Sequence, residues 1–111
     1  MLPYSTQFIE EDDIAAVVEI LKGSHLTQGA KVEEFEEAIA RYVGTRYCVT
    51  FNSATSALHA AYDACGIGEG DEIITTPISF VAPSNMAVAL GAKPIFCEIK
   101  TDGNIDETLL V

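Results

Sequence analysis

Two hydrophobic periods run along this chain and divide it into elements. Ile14, Val17, Val18 and Leu21 recur at i, i+3, i+4 and i+7, the stripe of an amphipathic helix. Glu11, Asp12 and Asp13 place acids in its first turn, and Gly23 follows as a stop. The spacing predicts a second helix from Lys31 to Val43, with Val32, Phe35, Ile39 and Val43 inward and Gly44 ending it. Tyr47-Cys48-Val49-Thr50-Phe51 is β-branched and aromatic, which predicts a first buried strand. An Ala- and Leu-rich helix is expected over Thr55–Ala64. Glu72–Thr76 reads as a second strand, and Pro83–Leu90 as a helix with proline near its first position. Pro94–Ile99 reads as a third strand, and Asp106 as the cap of a last helical turn.

The predicted order, α-α-β-α-β-α-β, points to an α/β fold with a mostly parallel sheet. Near-continuous apolar strands are those covered on both faces. Ligands of such folds collect at the carboxyl ends of the strands. Those ends here are Asn52-Ser53-Ala54, Pro77-Ile78-Ser79-Phe80 and Glu98-Ile99-Lys100.

The first of these ends carries the strongest chemical signal. Asn52 and Ser53 are favoured helix N-caps, and Ala54, Thr55 and Ser56 are small. A helix start presents unpaired N–H groups and partial positive charge, so small residues there allow a phosphate to approach. The same residues also describe an ordinary capped helix. Glu33, Glu34, Glu36 and Glu37 form a solvated helix face, with no metal role.

Composition narrows the function. The 111 residues suit one small domain, and 49% hydrophobic with 21% charged is globular. Net charge is −11, from six Lys and Arg against seventeen Asp and Glu, which argues against nucleic acid or an anionic membrane as partner. No apolar run reaches the ~18 residues of a membrane span. The amino terminus lacks the features of a signal peptide. Cys48, Cys65 and Cys97 sit among apolar residues and read as buried free thiols of a cytoplasmic protein. His25 and His59 have no Cys or Asp neighbour that would suggest a triad or a metal.

Five runs, in order, resemble the DegT/DnrJ/EryC1/StrS family of pyridoxal-phosphate-dependent sugar aminotransferases. They are Leu26-Thr27-Gln28-Gly29, Val32-Glu33-Glu34-Phe35-Glu36, Asn52-Ser53-Ala54-Thr55-Ser56-Ala57-Leu58, Gly70-Asp71-Glu72-Ile73-Ile74-Thr75 and Gly91-Ala92-Lys93-Pro94-Ile95-Phe96. Ile73–Ala82 and Lys100–Glu107 resemble more specifically those members that serve pseudaminic acid biosynthesis. Such members aminate a UDP-linked 4-keto-6-deoxy N-acetylhexosamine with glutamate as amino donor.

The resemblance implies part of a type I aminotransferase large domain. Residues 1–30 would be an amino-terminal helix and substrate loop, and residues 31–111 the start of the cofactor-binding sheet. Ala54, Thr55 and Ser56 would hold the phosphate of pyridoxal 5'-phosphate, and Phe80 would stack on its pyridine ring. Ser24, His25, Leu26 and Thr27 would touch the sugar nucleotide, with Tyr4 near the substrate. A homodimer is implied, because family active sites lie at a dimer interface.

The chain departs from the family by stopping early. None of Lys22, Lys31, Lys93 and Lys100 stands in the setting of the lysine that carries the cofactor, and the Asp that pairs with the pyridine nitrogen is absent. The expectation is therefore an amino-terminal fragment, inactive alone, with a strand edge and apolar helix faces uncovered. The alternatives are a non-catalytic truncated paralogue, a relative acting on a 3-keto sugar, and a sugar dehydratase.

Overall fold

The computed structural model describes residues 5–110. They fall into two compact units, one reaching to Val49 and the other starting at Thr50.

The first unit holds two helices, α1 (Glu11–Leu21) and α2 (Ala30–Val43). The Asp13 carboxylate accepts the Glu10 amide at 3.0 Å, which satisfies a donor at the start of α1. At the far end of α1 the Gly23 amide donates to the Ile20 carbonyl at 3.0 Å. Gly44 ends α2 in the left-handed conformation, φ 75°, which a side chain rarely adopts. Lys31 pairs with Glu34, and Arg41 with Glu37, along the exposed face of α2.

The expected burial of α2 is corrected. Ala40 is its buried residue and Ile39 is half-buried, whereas Val32, Phe35 and Val43 are exposed, Phe35 at 55%. The apolar stripe of α1 is exposed as well. The reason is packing: α1 and α2 do not pack on each other, and a stripe is buried only when another element covers it.

The second unit is built on a β–α–β motif. Strand β1 (Glu72–Thr75) pairs in parallel with β2 (Lys93–Phe96), Glu72 opposite Lys93 and Thr75 opposite Phe96. The Lys93 amide donates to the Asp71 carbonyl at 2.9 Å and the Cys97 amide to Thr75 at 2.8 Å, extending the ladder at both ends. Helix α4 (Ala82–Ala89) connects the strands and packs on both, while α3 (Ala54–Ala64) packs on α4. Ala82 and Ala87, 3% and 0% exposed, are buried; their small side chains let backbones approach closely. Gly91, φ 86°, stops α4, and the Ala92 amide closes the end on the Ala87 carbonyl at 2.9 Å.

The predicted first strand is absent. Tyr47–Phe51 forms no strand, so the described order is α-α-α-β-α-β. A strand exists only through ladder bonds to a neighbouring strand, and the described sheet is made of β1 and β2. The α/β class with parallel strands stands, and the expected uncovered apolar surface is present, with Ile74 and Phe96 both more than half exposed. The cysteines are free, but only Cys97 is buried; Cys65, at the C-cap of α3, is exposed and Cys48 is half-buried.

After β2 the chain turns through an Ile99–Ile105 bridge into a single 3₁₀ turn, Glu107–Leu109. The Thr108 hydroxyl and amide both donate to the Asp106 carboxylate and hold its pKa below the usual carboxylate range. The Lys100 ammonium does the same to Glu107, and the Asn104 amide to Asp102. A depressed folded-state pKa contributes stability above the ordinary carboxylate range that is lost as pH falls through the depressed value. Acidification below that range is therefore expected to weaken the carboxylate hydrogen bonds of this turn. The check is an NMR titration: the Thr108 amide should shift with the Asp106 carboxyl, and a Thr108 amide indifferent to that protonation would contradict it.

Candidate functional site

The start of α3 is assembled from four consecutive polar or small residues. Ser53 is its N-cap, with extended backbone (φ −159°, ψ 155°). Its hydroxyl oxygen accepts the Ser56 amide at 3.1 Å, and its carbonyl accepts the Ala57 amide at 3.1 Å. The Ser56 hydroxyl donates to Asn52 Oδ1 at 2.8 Å and lies 3.0 Å from Ser53 Oγ. One orphan donor of the helix start, the Ser56 amide, is thus satisfied by the chain itself, and the Ala57 amide makes the first regular helical bond.

Two further orphan donors are not. The amides of Ala54 and Thr55, and the Thr55 hydroxyl, have no partner among the described residues. Ala54 is exposed and Thr55 half-buried. Two open amides and one open hydroxyl at the positive end of a helix match the donor demand of a phosphate group. The residues present therefore fit a phosphate-bearing ligand. Asn52 enters this site as the residue that engages Ser56, a role that reading it as a cap alone does not supply. The i, i+4 spacing of Asn52 and Ser56 is the signal that points to it.

Phe80 lies in the same unit, in the loop between β1 and α4. It is 76% exposed, so its ring is not spent on the core and remains available to stack on a flat ligand. The structure places it past the carboxyl end of β1, the end at which α/β folds gather ligands.

The loop Ser24–Thr27 belongs to the first unit and is exposed. Ser24 Oγ and His25 Nδ1 are 3.0 Å apart. Ser24, His25 and Leu26 line a hollow of about 460 Å³ that also takes in Ile20, Lys31 and Glu34; Thr27 does not line it. Glu34, by hydrogen bond and charge, raises the Lys31 pKa. Two backbone features hold this loop in shape. Gln28 sits in the left-handed region, φ 52°, and a Cβ on Gly29 would stand 3.0 Å from the His25 carbonyl oxygen. Tyr4 lies outside the described residues. Among the described residues no His, Cys, Asp and Glu side chains cluster as metal ligands, and no helix is long and apolar enough to cross a membrane.

Known proteins share this chain over nearly its whole length. It is 51% identical over 110 residues to the UDP-4-amino-4,6-dideoxy-N-acetyl-beta-L-altrosamine transaminase of Campylobacter jejuni subsp. jejuni, covering 99% of this chain and 29% of that one. Among solved structures, the Helicobacter pylori aminotransferase PseC, involved in the biosynthesis of pseudoaminic acid, superposes with a TM-score of 0.88 at 47% identity, over 95% of this chain and 29% of PseC. The PLP-form of Spr1654 from Streptococcus pneumoniae gives 0.87 at 33% identity, over 98% of this chain and 28% of that one. The chain thus spans 29% of the length of the curated relative. Residues 7–110, the helix start and the Phe80 loop included, match the DegT/DnrJ/EryC1/StrS aminotransferase family, and the chain belongs to that family.

Proposed function

We propose that this chain is the cofactor-phosphate-binding portion of a pyridoxal 5'-phosphate-dependent aminotransferase that moves an amino group from glutamate to a UDP-linked 4-keto-6-deoxy sugar. The observation that carries the reading is the pair of open amides with the Thr55 hydroxyl at the start of α3. It is supported by family membership and by the PLP- and PMP-forms in which Spr1654 has been solved. Pyridoxal phosphate, when bound, supplies the electron sink for amino transfer.

The chain's own residues bind and orient. Ala54 and Thr55 donate to the phosphate. Ser56 completes the cradle as the residue that ties its turn to Ser53 and Asn52. Phe80 offers its ring to the pyridine. Ser24, His25, Leu26 and Thr27, with Tyr4, contact the sugar nucleotide. The protein works as a homodimer in the cytoplasm; three free cysteines suit a reducing compartment.

The test is an NMR titration of the 111-residue chain with pyridoxal phosphate. The Ala54 and Thr55 amides should move first. Thr55→Val should weaken binding by about tenfold or more, the worth of one hydrogen bond to a charged group. Ser56→Ala should change affinity by less than about threefold, because its hydroxyl is donated to Asn52, while costing about 1 kcal/mol of stability, the worth of one hydrogen bond. If the amides of Ala54 and Thr55 do not respond, the assignment is wrong.

Assembly has its own check. The apolar faces left open on α1 and α2 favour self-association, so the folded protein should sediment as a dimer or larger. A compact monomer across micromolar concentrations would rule this out.

A further inference from the structure

We draw no further inference here: the strongest candidate, the open apolar hollow beside the β1–β2 sheet lined by Ile74, Phe96, Leu109 and Leu110, carries nothing because no observation in the structure shows what covers it.

Discussion

Replacing Ala87 by leucine should lower the stability of the second unit by about 1–3 kcal/mol, the usual cost of forcing extra methylenes into a packed site. Ala87 is fully buried on α4, the helix that packs on both strands and on α3. Any larger side chain there must push α4 off its neighbours. The Ala92 amide also bonds to the Ala87 carbonyl, so a shift of α4 disturbs the entry to β2. Ala89, on the same helix, is exposed and serves as the control. Ala89→Leu should change stability by no more than about 0.5 kcal/mol. Urea denaturation of the two variants decides the matter, and equal midpoints would show that α4 does not hold this unit together.

The second large effect concerns chemistry. The 111-residue chain, incubated with pyridoxal phosphate and reduced with borohydride, should carry no lysine labelled to stoichiometry, and it should transfer no amine from glutamate. A lysine that reacts with an aldehyde must shed its proton and stand beside the cofactor ring. In the unit that holds the start of α3, Lys93 is ion-paired with Glu72 at 2.9 Å. That pair sits at the amino ends of the parallel strands. Three residues of strand, roughly 10 Å, separate it from the carboxyl ends where ligands gather. Lys100 is tied to Glu107 at 2.7 Å. Lys31, in the other unit, is held protonated by Glu34, opposite to what a nucleophile needs. Single-site labelling at full occupancy, with glutamate-dependent amination of a UDP-4-keto sugar, would overturn this. The same result separates the two classes of reading: unlabelled chain that still binds pyridoxal phosphate behaves as a ligand-binding portion, not as an enzyme by itself.

Much of this protein was legible in its residues. The ends of α1, α2 and α4 follow from Gly23, Gly44 and Gly91, and Pro83 marks the start of α4. The Ser53 cap and the small turn after it are readable too. Helices and their caps are closed by hydrogen bonds between residues three or four apart, so a short window of sequence contains the cause. The family was legible because five runs stand in register along one chain, and residues 7–110 match it.

Other features were decided only in three dimensions. Tyr47–Phe51 has the composition of a strand, yet it forms none, and the described sheet is made of β1 and β2. Val32, Phe35 and Val43 carry the inward face of a helix, yet they are exposed because no other element packs on α2. Ser56 reads as one more hydroxyl for an anion, but Asn52 accepts its proton and leaves Thr55 with the open one. Pairing, burial and hydroxyl direction each depend on which groups come within bonding distance, and residue type and local spacing do not specify that.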